Sequence, residues 1–308
     1  MISVIGSGVA GLCTATVLSE KGFTVEVIEA DIPAASCLAG GMLAPFCEGE
    51  SAPQTVVIKG QQALTWWAAR VPVTRRGTLV LAPARDAQEL DRFAAATQNH
   101  HWTEPGTLEA DLAGRFARGL LFPDEGHMDP VIALATLRAT LIKSGVSFHT
   151  GQPTGQIVDC RGWAARDQLS DLRPVRGEML EVSAPDVELS RTIRLLHPRL
   201  ACYIVPRGQG RYMIGATMVE SASEDLITAR AVVELLSAAY TVQPAFAEAQ
   251  LIMTDTGLRP AFPDNIPAVR RQGDRIYVNG MYRHGFLMAP ALASDVARIL
   301  AQASISED

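Results

Sequence analysis

The strongest chemical signal in the chain is Gly6-Ser7-Gly8-Val9-Ala10-Gly11, a Gly-x-Gly-x-x-Gly spacing close to the amino terminus. The first glycine permits a tight turn, the second lets backbone approach a pyrophosphate, and the third lets a helix and a strand pack closely. A helix opening at Val9 and Ala10 would set the positive end of its dipole beneath the phosphates. Glu29 follows 18 residues after Gly11, with Ala30 beside it. A carboxylate there can accept hydrogen bonds from an adenosine ribose, and its being Glu rather than Arg disfavours NADP.

The spacing does not choose between NAD and FAD, so later segments must. Ala34-Ala35-Ser36-Cys37-Leu38-Ala39-Gly40-Gly41-Met42-Leu43-Ala44-Pro45 is an uncharged run of mostly small residues. Its backbone, from Ser36 through Gly40, Gly41, Met42 and Leu43, offers a surface along which an extended FAD could lie. Near the other end, Gly280-Met281-Tyr282-Arg283-His284-Gly285-Phe286-Leu287-Met288-Ala289-Pro290 places a glycine turn before a helix expected to start at Ala289-Pro290. That N-terminus would suit the negative charge developing along one edge of a reduced flavin. Cys13, Cys37, Cys47, Cys160 and Cys202 show no Cys-x-x-Cys or Cys/His metal spacing. Reduced thiols, a cytoplasmic location and no metal are expected.

These residues need elements to position them. Ile2–Ile5 reads as a strand, the glycine turn opens a helix that stops at Gly22, and 24–29 reads as a second strand, which completes a βαβ unit. Residues 60–70 and 86–97 are expected to be helical and 77–83 extended. A helix capped by Asp129 with Pro130 in its first turn runs to Gly145. Strands are expected at 146–149, 157–160, 176–182, 200–205, 211–216, 250–256 and 275–279, with helices at 223–240 and from 289 to about 303. Strands bunch in the middle of the chain, which implies a mixed or antiparallel sheet there. The fold class expected is α/β: a glutathione-reductase-type FAD-binding Rossmann-like domain interleaved with a mixed/antiparallel β-sheet substrate domain. The first would take residues 1–48, 127–163 and 257–308, and the second 49–126 and 164–256.

Composition narrows the function. The 308 residues are 48% apolar and 19% charged, which excludes a largely disordered chain. The net charge of −6 gives no basic footprint for nucleic acid. Residues 1–19 are uncharged, but no Lys or Arg precedes them and glycines interrupt them, so a signal peptide is not expected. The uncharged stretch 32–47 is too short to span a membrane. Of the 27 basic residues 24 are Arg, so nearly every cation is a permanent fork able to grip a carboxylate.

Taken together, the Gly6–Glu29 unit, the Gly40–Pro45 loop, Tyr203-Ile204-Val205-Pro206-Arg207 with Gly215-Ala216-Thr217-Met218, Gly257-Leu258-Arg259-Pro260 and the 283–290 segment resemble the D-amino-acid oxidase-like flavoproteins. Within that family they look most like the glycine oxidases of thiamine biosynthesis, and the resemblance spans nearly the whole chain. It implies that Arg259 clamps the substrate carboxylate with Tyr203 beside it, that Met218 lines the side-chain pocket, and that Arg283 lies near flavin and substrate. His284, Gly285, Phe286 and Leu287 would touch the flavin, with no catalytic duty assigned to His284. A bidentate cation is also what the chemistry asks for, since it would fix the substrate Cα hydrogen over the flavin.

The implied activity is oxidative deamination of glycine or another small amino acid on non-covalent FAD. It would yield imine or glyoxylate, ammonia and hydrogen peroxide, with dioxygen as acceptor and the imine open to capture by a thiazole synthase. D-amino-acid dehydrogenase, sarcosine oxidase and a non-catalytic flavin-binding protein remain alternatives, and homo-oligomerisation is left open. Two departures stand out: the connection between His149 and Ile157 is short where the family layout carries a hairpin, and Asp159-Cys160-Arg161-Gly162 replaces an apolar ending.

Overall fold

The protein is described here from a computed structural model, covering residues 1–29, 34–197 and 201–305, with side chains to Gln302. Ala30, assigned to the cofactor above, lies outside the described residues. Two large sheets divide the chain. In the first, β1 (Ile2–Ile5), β2 (Val25–Ile28), β8 (Ser147–His149), β9 (Gln156–Asp159) and β17 (Arg275–Asn279) run parallel. The sixth strand, β16 (Ala268–Gln272), closes one edge antiparallel to β17, in the order β16-β17-β9-β1-β2-β8. Parallel strands need cover on both faces, which explains the unbroken burial of β2 and the near-complete burial of β1.

The helix α1 (Val9–Glu20) follows β1 and buries its length against α8 (Gly285–Ile305) and α6 (Pro130–Lys143). Gly22, at φ +84°, ends α1 as expected: Phe23 N donates to Leu18 O at 3.1 Å and Gly22 N to Ser19 O at 3.0 Å. Asp129 caps α6, its Oδ1 accepting from Val131 N at 2.9 Å and Ile132 N at 3.2 Å, with Pro130 in the first turn.

The second sheet has nine strands. From β4 (Thr78–Leu81) it extends through β6 (Gly119–Phe122) to β5 (His101–Thr103) on one side, and through β11 (Thr192–Leu195), β12 (Cys202–Gly208), β13 (Arg211–Gly215) and β10 (Arg173–Ser183) to β14 (Val219–Glu220) on the other. β15 (Gln250–Ala261) pairs along β10 and runs straight through position 257. Among the described residues of this sheet only β11 and β4 pair in parallel, so the sheet is mixed, as expected from the bunching of strands. A two-stranded ladder joins β3 (Met42–Leu43) to β7 (Gly126–His127). The remaining helices are α2 (Pro45–Glu48), α3 (Gln54–Gly60), α4 (Ala63–Ala68), α5 (Gln88–Ala96) and α7 (Ala229–Val242).

Three expectations change. The helix expected over 60–70 is shorter, and α3 precedes it unannounced. The helix expected from 223 starts at Ala229, because Thr228 caps it and the preceding residues are held elsewhere: Arg176 donates to Ser223 O at 3.0 Å and to Leu226 O at 2.7 Å. The last helix starts at Gly285 rather than at Pro290, which lies inside it. Pro290 has no N–H to give to Phe286 O four residues back. The Trp67 indole N–H donates to that oxygen instead, at 2.8 Å, so the helix continues through the proline.

The short connection between β8 and β9 is tied down by a polar clamp in place of a hairpin. Glu26 Oε1 accepts from Ser3 Oγ at 2.5 Å and from both Thr154 N and Thr154 Oγ1 at 2.8 Å, and His149 Nε2 lies 3.1 Å from Oε2. Burial alone would push the Glu26 carboxyl up, but these donors outweigh it and hold it down at about 2.

Candidate functional site

The glycines of the first turn are sterically required. A Cβ on Gly11 would lie 1.8 Å from Gly6 O, so nothing larger lets α1 sit on the turn. Gly6, at φ +105°, would press a Cβ to 2.7 Å from Cys160 O. Gly8 is less tightly enclosed: a Cβ there would meet the Ser36 side chain at 3.3 Å rather than backbone, at the mouth of α1. Gly8 caps that helix with no side-chain oxygen of its own, and Val9 N donates to Ser36 Oγ at 3.1 Å. Beyond them Glu29 ends β2. Arg138 donates to it from α6 at 2.7 Å and 3.3 Å, and that bonding holds the carboxyl below its usual range. A fixed, ionised acceptor thus stands one strand from the glycine turn.

An elongated cavity runs from Val9 and Ser36 past Gly40, Gly41 and Met42 to the start of α8, where His284, Gly285, Phe286 and Leu287 line it. Gly41, at φ +69°, lies so close to Met128 that a Cβ would meet its carbonyl oxygen at 2.1 Å. The loop is held from behind by Arg207, which donates to Ala39 O, Gly40 O and Met128 O at 3.0 to 3.1 Å. Leu43 does not reach the cavity; it is buried in the core behind it. The first turn of α8 presents its own amides, and Leu287 packs where a Cβ on Gly60 would otherwise sit.

At the far end the four residues assigned to the substrate line the same cavity: Arg259, Tyr203, Met218 and Arg283. Arg259 lies across β10. A Cβ on Gly177 would meet its guanidinium at 2.2 to 2.4 Å, and its Nη1 donates to Thr217 O at 3.0 Å. The Tyr203 ring is clamped between Gly40 and Gly215, within 2.8 and 3.0 Å of where their Cβ atoms would be. Burial pushes its phenol up, so the hydroxyl remains a donor at neutral pH. Met218 sits at the rim, half exposed, with Tyr282 Oη 3.4 Å from its sulfur. Arg283 donates to Ser51 Oγ at 2.5 Å, and its Nε lies 2.8 Å from Glu48 Oε2.

Glu48, at the end of α2, is the residue missed in the sequence. Its Oε2 also lies 3.2 Å from His284 Nδ1, and its Oε1 lies 3.7 Å from Arg194 Nη1. Burial would raise its carboxyl, but His284, Arg283 and Arg194 hold it well below the carboxylate range. Arg194 in turn reaches Glu50 Oε2 at 3.4 Å. Among the described residues Arg259 has no carboxylate within ion-pairing distance, whereas Arg283 and Arg194 both do. Glu48 stands three positions beyond Pro45 of the loop that drew attention, so its proximity was within reach. Arg194 and Gly177 gave no signal, because only sheet register brings them to the cavity.

The residues fit a flavin dinucleotide. The glycine turn opens α1 with no side chain at Gly8, the small-residue loop lines the cavity from Ser36 to Met42, and the first turn of α8 lines it further along. Comparison with known proteins agrees. The FAD dependent oxidoreductase family, DAO, matches residues 1–299. The chain is 50% identical to the Rhizobium etli oxidoreductase named ThiO for thiamine biosynthesis, over 97% of this chain and 96% of that one. It is 25% identical to the bifunctional ThiO/ThiG protein of Trichormus variabilis, over 98% of this chain and 52% of that one. The structure of glycine oxidase from Geobacillus kaustophilus superposes with a TM-score of 0.83 at 21% identity, covering 98% of this chain and 94% of that one.

Proposed function

The chain belongs to the DAO family of FAD-dependent oxidoreductases and is an enzyme of the ThiO and glycine oxidase type; on that premise we propose that it oxidises glycine and other small amino acids at the Cα–N bond. Bound non-covalently along the cavity, FAD supplies a two-electron acceptor for the substrate hydride. The protein supplies binding and orientation. Arg259, the cavity arginine with no carboxylate partner among the described residues, takes the substrate carboxylate as a fork, and this observation carries the proposal. Tyr203 adds a neutral phenolic donor beside it, and Met218 bounds the space open to a side chain.

With the carboxylate fixed, the Cα hydrogen is aimed along the cavity towards the start of α8. Hydride leaves Cα as the lone pair of the neutral amine forms the C=N bond, so no side-chain base is required. Hydrolysis of the iminium then gives glyoxylate and ammonia. Dioxygen is the proposed final acceptor, giving hydrogen peroxide. We read the segments 1–48, 127–163 and 257–308 as the FAD-binding lobe and the rest as the substrate lobe. The name of the Rhizobium relative and the fusion of a ThiO unit to ThiG in Trichormus support a hand-off of imine to a thiazole synthase.

The test is anaerobic flavin reduction against glycine, sarcosine, D-alanine and D-proline, then admission of air with peroxide assayed. Bleaching by glycine followed by stoichiometric peroxide is expected. No bleaching by any of the four would refute the reading. Fast reduction of the flavin with negligible reoxidation by air would instead make the protein a dehydrogenase.

A further inference from the structure

Two guanidinium groups and a histidine converge on one carboxylate in the cavity wall, and the reaction proposed above has no use for that convergence. Glu48 Oε2 lies 2.8 Å from Arg283 Nε and 3.2 Å from His284 Nδ1, yet none of these three atoms is in hydrogen-bond alignment. Charge holds the Arg283 guanidinium to the carboxylate and the packing of the wall holds the imidazole, with the side chains of Glu48 and His284 only 15% and 2% exposed. Arg194 comes to the same carboxylate from β11, and Glu50 shares it. Two guanidinium groups bordering the substrate end are therefore cancelled by two glutamates, and Arg259 is left as the surplus cation.

We infer that Glu48 sets the charge class of the substrate: by neutralising Arg283 and Arg194 it restricts the site to amino acids carrying a single carboxylate, and excludes those with a second anionic group. The inference rests on reading Arg259 as the carboxylate clamp. A substrate with one carboxylate balances Arg259 and leaves the wall undisturbed. A second carboxylate would meet the Glu48 charge in a poorly solvated wall, with both nearby guanidiniums already engaged; like charges so placed discriminate strongly between ligands. The selectivity is thus built by a repulsive element, not by a lack of cations.

Glu48 can serve this way because α2 holds it rigidly. Glu125 Oε1, wholly buried, accepts from Phe46 N at 2.9 Å and Cys47 N at 2.8 Å, so the short helix cannot swing its last residue away. Removing the negative charge while keeping the shape would release Arg283 towards the cavity and turn a repelling wall into an attracting one.

The experiment measures dissociation constants of acetate and malonate for the FAD-loaded protein, by perturbation of the flavin spectrum. Glu48→Gln is expected to tighten malonate relative to acetate by about tenfold or more, the scale of one added ion pair in a desolvated site. The double variant Glu48→Gln with Arg283→Met should return that ratio close to the wild-type value. An unchanged ratio in Glu48→Gln, or a gain that survives loss of Arg283, would overturn the inference. If Glu48→Gln does not fold, Glu50→Gln at the more exposed partner of Arg194 should shift the ratio in the same direction by a smaller factor, and no shift there counts against it equally. Glycine oxidation by the wild-type protein tests the proposed reaction separately, since the ratio is read from binding whichever amine is oxidised.

Discussion

At the scale of single residues, the proposed carboxylate clamp belongs to two strands. Arg259 of β15 reaches across its neighbour, and the register that sets Gly177 opposite Gly257 leaves a trough in which the guanidinium lies. Replacing Arg259 with Ala should lower kcat/KM for glycine by about 10²- to 10³-fold, corresponding to about 3–4 kcal/mol for a desolvated charged contact. Steady-state kinetics with FAD occupancy unchanged would establish it, and near-normal turnover would refute the assignment. Gly177→Ala is the more diagnostic change. Its methyl group would displace a flexible side-chain end rather than backbone, so folding and FAD content should survive while KM rises by about an order of magnitude or more. The sequence supplied Arg259, Tyr203, Met218 and Arg283 from separate short motifs, and all four do line one cavity. It could not supply Gly177 or Arg194: nothing in local spacing says which strand lies beside which.

At the scale of elements, the first helix and the capped α6 were readable, because their stop and start signals are local: Gly22 at one end, Asp129 and Pro130 at the other. The start of α8 was not, since a proline that normally marks a first turn is tolerated here through Trp67, a residue far away in sequence. Trp67→Phe should keep the ring packing against Phe286 but leave Phe286 O without its donor. A loss of about 1–3 kcal/mol in unfolding free energy is expected, measured by denaturant melts; an unchanged midpoint would mean that another donor fills the gap.

Helix α2 offers a pH-dependent counterpart. Burial pushes the Glu125 carboxyl up to about 7, against the backbone amides it accepts from. Between its ordinary carboxylate value and 7 the unfolded chain has released a proton that the folded protein keeps, so stability falls as pH rises through that interval and levels off above it. Glu125→Gln keeps an acceptor without the charge, and should therefore flatten this part of the stability profile between pH 5 and 8. An undiminished slope in thermal melts of the variant would assign the dependence to other groups.

At the scale of the whole molecule, the cofactor site draws on both ends of the chain: the turn after β1, the loop before α2 and the start of α8. Ligand bound to such a junction should stabilise the fold by mass action, by about 2.7 kcal/mol at free FAD one hundredfold above its dissociation constant. Stripping the FAD and titrating it back while following Tm checks this, and a Tm indifferent to FAD would count against a cofactor site at this junction. The interleaved layout was legible from where strands bunch and where α/β alternation returns; the pairing of β11 with β4, on which the mixed sheet depends, was not, since it joins segments more than a hundred residues apart.

The packing of α1 against α8 carries a further consequence for how the protein is made. Helix α1 packs on α8, which is translated long after it, so the part of its apolar face that α8 covers stays open on the ribosome until α8 has emerged. The turn that opens α1 is therefore completed well after its own residues are made, and that face must stay soluble in the interval between the two helices.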